Sequence, residues 1–314
     1  MLGLKLKSFK KSGLDGLVTV IVPTYGHARF VRKALDTIAA QDYQAIELIV
    51  IDDCSKDDTF AQVEDWVRET KAHERFIRVE VSANRKNLGA HACINHGIEK
   101  AAGQYIAILN SDDLFAANRI GRLVEIANQT GAEFLFTGVR VVDADGTRLV
   151  EPGLPSQLEA MVDLADAFPS VSFALLVKNI AVSTGNFFFT SALAEKVGQF
   201  RNLRYCHDWD FILRACLLTE PVAVPLPLYI YRVHGTNTYT NLKKEEYLEP
   251  ILVYQHFFAQ GLAGNCTNSM APLPSNWPNF FSVVASEIDN LAWASYVAGD
   301  GRIKIDSVLK HLPI

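Results

Sequence analysis

Tyr105-Ile106-Ala107-Ile108-Leu109-Asn110-Ser111-Asp112-Asp113 is an apolar run that stops abruptly in two adjacent acids. An uncharged run of this length suits a short buried strand, and the polar tetrapeptide behind it suits that strand's carboxyl end. In open α/β folds this edge is where ligands bind. Crowded carboxylates are costly there unless a cation compensates them. A hard divalent ion such as Mg²⁺ or Mn²⁺, shared with substrate phosphates, meets that need, while a solvated turn is the plainer alternative.

The chain upstream repeats the pattern. Residues 17–22 form a β-branched run ended by Pro23, and 29–40 carries Phe30, Ala34, Leu35 and Ile38 at helical spacing. Residues 46–51 are a second apolar strand ending in Asp52-Asp53. Asp57 or Asp58 then suits the cap of a helix with Phe60, Val63 and Val67 on one face. A strand at 76–81, a helix at 90–102 and a strand at 105–109 complete the series. Near-continuous apolar strands between amphipathic helices predict a mostly parallel, Rossmann-like α/β sheet flanked by helices. Right-handed crossovers then place Asp52-Asp53 and Asp112-Asp113 on one edge of that sheet. Neither GxGxxG nor GxxxxGK[ST] occurs, so neither phosphate-binding glycine loop is available.

Composition narrows the class. A chain of 314 residues, 49% hydrophobic, can bury a large core, and a net charge of -5 argues against a nucleic-acid partner. Cys54, Cys93, Cys206, Cys216 and Cys266 are scattered and odd in number, which points to free thiols in a reducing, cytoplasmic setting. No apolar run reaches the roughly 18 residues that span a bilayer. Lys5, Lys7, Lys10 and Lys11 mark a basic tail over 1–16. Its expected state is solvated, with peripheral attraction to anionic lipid at the inner face of a membrane as the sharper alternative. Amphipathic helices are expected at 243–260 and 282–297, around the Pro- and Asn-rich stretch 271–279, within a helical extension over 241–314.

Over residues 17–240 the ordered set of segments resembles the inverting family 2 glycosyltransferases with the GT-A fold. The carriers are Val18-Thr19-Val20-Ile21-Val22-Pro23-Thr24-Tyr25, the run from Glu47 to Asp57, Asn87-Leu88-Gly89-Ala90 and the run from Ala102 to Asp113. Cys206-His207-Asp208-Trp209-Asp210-Phe211 and Tyr231-Arg232-Val233-His234-Gly235 follow in the same order. The resemblance implies transfer of a hexosyl or N-acetylhexosaminyl group, with inversion, from a nucleotide-diphosphate donor such as a UDP-sugar. The acceptor would be a hydroxyl of a carbohydrate or lipid-linked saccharide, as in cell-envelope polysaccharide biosynthesis.

The same resemblance assigns roles. Pro23, Thr24, Tyr25, Asp53, Asn84, Asn87, Asn110 and Asp112 would hold the nucleotide, with Asp53 on uracil N3. Asp113 would hold the Mn²⁺ or Mg²⁺, with His234 as a further ligand. Asp208 would be the general base, and Asn186, His207, Trp209 and Arg232 would shape the sugar and acceptor pocket. Asp210 is the rival base, although its i,i+4 spacing also suits an ion pair with Arg214. Asn110 stands where the family more often has an acid, and His207 where it has Glu. Both departures favour a second hypothesis, a catalytically silent nucleotide-sugar-binding protein. A nucleotidylyltransferase is a third, poorly served by the first loop Gly26-His27-Ala28-Arg29.

Overall fold

The computed structural model describes residues 14–235, 248–278 and 280–281. The tail at 1–13, the segment Thr236-Asn237-Thr238 and the helix expected at 282–297 lie outside them. The chain begins with β1 (Leu14–Thr24), α1 (Val31–Ala39), β2 (Ile46–Asp52), α2 (Thr59–Glu69), the single turn α3 (Ala72–Arg75) and β3 (Arg78–Ala83). It continues with α4 (Ala90–Lys100), β4 (Gly103–Ile108), the two-residue β5 (Leu114–Phe115) and α5 (Arg119–Thr130). Next come β6 (Phe134–Val142), α6 (Leu154–Glu159), α7 (Val171–Val177), β7 (Phe188–Thr190) and α8 (Ser191–Val197). The last described elements are α9 (His207–Cys216), β8 (Val222–Arg232) and α10 (Glu249–Leu262). No helix among the described residues is long and apolar enough to cross a membrane.

Two compact units share this chain. The first holds the described residues through Glu133, together with Thr184–Gly198 and Leu228–Ile230. Its strands run β3-β2-β1-β4 in parallel, and β7 joins β4 antiparallel. Every residue of β2 is buried, so the strand reads as a continuous apolar run rather than an alternating one. Two acids interrupt the run, Asp52 at its end and Glu47 inside it; the Glu47 carboxylate accepts from Thr19 Oγ1 on β1 at 2.5 Å and from the Ala102 N–H at 2.9 Å. Arg78 at the start of β3 completes that clamp. A buried acid is tolerated because its oxygens are satisfied by three separate segments.

The helices follow the expected pattern with one rotation. α1 buries Val31, Ala34, Leu35 and Ile38. α2 buries Thr59, Val63 and Trp66, leaving Phe60 and Val67 half-exposed. Trp66 sets the face because its ring brings the most apolar area and its Nε1 donates to Asp36 Oδ1 on α1 at 2.7 Å. Asp58 precedes α2 without capping it; Asp57 Oδ1 instead accepts from the Thr59 N–H at 3.1 Å.

The second unit contains Phe134–Ser183, Gln199–Pro227 and the described residues from Tyr231 onward. Here α7 and α10 both pack on α9, and Phe173 gathers the rings of Trp277, Phe280 and Phe281. Glu249, at the start of α10, accepts from the N–H groups of Arg204, Tyr205 and Cys206 at 2.7–2.8 Å. One carboxylate therefore fixes the chain that enters α9.

Candidate active site

In the first unit, parallel pairing brings the carboxyl ends of β1, β2 and β4 to one edge: Thr24 is opposite Asp52, and the Leu109 N–H donates to Ile21 O at 3.0 Å. Thr24 is buried and donates through Oγ1 to Asp52 Oδ1 at 2.8 Å, beside the half-buried Pro23. Asp52 also accepts from the Ser55 N–H at 2.8 Å, closing a turn. Tyr25 is 46% exposed, so its ring is open for a planar ligand to stack on.

Asp53 reaches across to the α4 entry instead of capping α2. Its Oδ1 accepts from Asn84 Nδ2 and the Leu88 N–H, both at 2.8 Å, and its Oδ2 from the Gly89 N–H at 2.7 Å. These contacts occupy three of about four acceptor positions on a carboxylate. Asn84 also donates to Cys93 Sγ at 3.3 Å, and burial beside Asp53 pushes that thiol up to about 12. Asn87 is exposed between them. None of the five cysteines is in a disulfide.

The acidic turn after β4 treats its two acids differently. Asp113 is 1% exposed; Tyr229 Oη donates to its Oδ2, and Asn110 Nδ2 lies 3.3 Å from the same oxygen. The amide at 110 can donate where an ionised acid would repel. Gly185 is required at this spot, because a Cβ there would lie 2.0 Å from Tyr229 Oη. Arg119, fully buried, sits over the Tyr229 ring at 5.5 Å and the Phe115 ring at 4.9 Å, and burial lowers its pKa to about 9. Its Nη2 donates to Asn186 O at 2.9 Å. Asn186 itself is fully buried, as are Phe187, Phe188 and Phe189, which form core rather than a sugar platform. Asp112 has a different neighbour: its Oδ2 lies 3.7 Å from His27 Nε2, while His27 Nδ1 is 2.8 Å from Ser111 Oγ.

In the second unit, α9 opens with His207-Asp208-Trp209-Asp210. Asn179 Nδ2 donates to Asp208 Oδ2 at 2.9 Å, and the Trp209 N–H donates to Oδ1 at 2.7 Å. Desolvation raises the Asp208 pKa above the usual carboxylate range, against the opposing pull of His207 and of these two donors. Asp210, 1% exposed, is committed elsewhere: Arg201 Nη1 at 2.7 Å and Arg214 Nε at 2.9 Å hold it. The second of these pairs has the i,i+4 spacing expected from the sequence. Trp209 Nε1 donates to Leu175 O at 2.6 Å, with its ring edge-on to Tyr254. Arg232 is fully buried, and its Nη1 donates to Ala144 O at 2.9 Å, so it ties a turn after β6. His234 is half-buried on the loop that follows β8.

A family model described as glycosyl transferase family 2 matches residues 19–194, more than half of the 314. The chain belongs to glycosyl transferase family 2. An uncharacterized glycosyltransferase of Rickettsia typhi is 29% identical to this family 2 chain over 246 residues, covering 76% of it and 71% of the relative. The succinoglycan biosynthesis protein ExoO of Rhizobium meliloti is 35% identical over 132 residues, 42% of this chain and 36% of ExoO. Among solved structures, S. aureus TarS 1-349 in complex with UDP-GlcNAc superposes with a TM-score of 0.63 at 17% identity, over 93% of this chain and 77% of that one. Mannosyltransferase PcManGT from Pyrobaculum calidifontis, in complex with GDP-Man and Mn²⁺, gives 0.57 at 17% identity over the same shares. These likenesses establish the GT-A fold.

Reading the sequence alone missed His27, Ser111, Arg119, Asn179 and Tyr229. His27 carried a signal, since it follows the first strand and so falls on the ligand edge. Tyr229 carried none, because its partner Asp113 is 116 residues away.

Proposed function

We propose that this glycosyltransferase moves a sugar from UDP to a hydroxyl of a carbohydrate or lipid-linked saccharide, inverting the anomeric carbon. The observation that carries the reading is the edge formed by β1, β2 and β4, where Tyr25, Asp53, Asn84, Asn110 and Asp112 end adjacent parallel strands or border them. Tyr25 offers a stacking face for the base. Asp53 keeps one acceptor position for an imide N–H, the group that distinguishes uracil from cytosine. Asn110 and the exposed Asn87 suit ribose hydroxyls. The UDP-GlcNAc complex of TarS and the GDP-Man complex of PcManGT support a nucleotide sugar as donor.

For the divalent cation, the geometry favours Asp112 over Asp113. Asp113 is buried and bonded to Tyr229, whereas the Asp112 side chain keeps 12% exposure at the same turn. A hard carboxylate on a strand-end turn fits Mg²⁺ or Mn²⁺. When bound, the ion supplies positive charge to a diphosphate leaving group. His234 remains a proposed contributor to the ion or the diphosphate. Asp208 accepts the proton of the attacking hydroxyl, the one proton transfer a single displacement needs. Asn179 and the Trp209 N–H orient its carboxylate. Asn186 and Arg232 act from the interior as shaping residues, and His207 and Trp209 flank the base in sequence.

A thermal-shift series tests this. UDP is expected to raise the melting temperature in Mn²⁺ or Mg²⁺ and much less in excess EDTA, by ligand linkage. Equal stabilisation in EDTA removes the metal from the proposal, and a preference for GDP over UDP reassigns the base. A panel of UDP-sugars assayed for metal-dependent transfer then names the donor.

A further inference from the structure

We propose that His27, through Nε2, is a protein ligand of the divalent cation alongside Asp112. The inference rests on the metal-dependent reading above and adds a residue from the β1–α1 loop to it. Three observations point the same way.

The first is distance. His27 Nε2 and Asp112 Oδ2 are 3.7 Å apart. That is too long for a hydrogen bond, and a charge-assisted contact between imidazolium and carboxylate closes to about 2.7–2.9 Å. Two ligand atoms on one ion, each at about 2.1 Å and separated by 90–120°, lie roughly 3.0–3.6 Å apart. A closure of a few tenths of an ångström would seat both atoms on one ion.

The second is the far side of the ring. Nδ1 is 2.8 Å from Ser111 Oγ, and Ser111 is 1% exposed. An N–H at Nδ1 donating to this hydroxyl makes Nε2, 3.7 Å from Asp112 Oδ2, the nitrogen that carries the lone pair. Metal-binding imidazoles are commonly oriented in this way by a bond at the other nitrogen. The third is rigidity of the backbone: the His27 N–H donates to Thr59 Oγ1 at 2.8 Å, and Thr59 is itself buried at the start of α2. Loop and ring are thus held before any ligand arrives, which lowers the cost of assembling a site.

The test uses the full chain, with Mn²⁺ as the probe in the presence of UDP. Free Mn²⁺ is followed by its electron paramagnetic resonance signal, and bound Mn²⁺ by ¹⁴N couplings in electron spin-echo spectra. His27→Ala is expected to weaken Mn²⁺ binding about 10-fold or more and to remove one nitrogen coupling. UDP affinity in EDTA should stay unchanged, a check that the first loop is intact. Ser111→Ala, which frees the ring without removing the ligand, should weaken Mn²⁺ binding by a smaller factor. If Asp112→Asn abolishes Mn²⁺ binding while His27→Ala leaves affinity and couplings unchanged, this inference fails and the metal reading survives. If the unmodified chain binds no Mn²⁺ with UDP present, both fall together.

Discussion

The acidic turn after β4 and the acidic start of α9 solve the same problem with different chemistry. Each carries two acids within three residues, and in each the fold holds one acid more tightly than the other. At the turn, Asp113 is held by the neutral hydroxyl of Tyr229, and Asp112 faces the ring edge of His27. On the helix, Asp210 is neutralised by Arg201 and Arg214, and Asp208 is left with amide donors and a pKa raised by desolvation. Flanked by two arginines, Asp210 leaves no uncompensated negative charge beside its neighbour. Asp113 is bonded to a neutral hydroxyl, which brings no charge of its own. The difference supports the proposed base on the helix and the proposed metal ligand at the turn.

The largest effect that would break this comparison is loss of the proposed base. Asp208→Asn is expected to reduce transfer about 10³-fold while leaving UDP binding intact. Turnover retained in that variant would move the base to another residue. Replacing the partner acid should do the reverse. Asp210→Asn leaves the buried Arg214 without its carboxylate and should cost about 3 kcal/mol of stability, read from the urea midpoint, with the folded fraction still active.

At the turn, Tyr229→Phe removes the donor to a buried carboxylate and should cost about 2 kcal/mol. A variant as stable as the parent would mean that Asp113 is not held by that hydroxyl. The smallest effect is in pH. Asp208 titrates above the ordinary carboxylate range in the folded state, so the acidic limb of kcat/KM should lie above that range and transfer should fall as pH drops through it. The stability sign follows from the same shift. The folded chain binds this proton more tightly than the unfolded chain, so the contribution of Asp208 to stability falls as pH rises through the raised value. At neutral pH, Asp208→Asn should therefore melt slightly higher than the parent, a gain in stability at the expense of function.

Much of this was legible in the residues. Parallel pairing of β1, β2 and β4 follows from apolar runs with helices between them, and local hydrogen bonding at Asp52–Ser55 follows from turn chemistry. The face of α2 was misjudged because periodicity weights Phe60 and Val67 like any apolar residue, whereas Trp66 dominates by area and by its bond to Asp36.

Sequence alone determined which strands end in acids and on which edge they gather, because strand direction and crossover hand are local and general rules. Only tertiary structure decided which acid of each pair is held and which is presented. That choice depends on partners such as Tyr229, 116 positions from Asp113, and Asn179, 29 positions from Asp208. A carboxylate's chemistry is set by the groups within hydrogen-bonding reach, and chain order does not encode that neighbourhood.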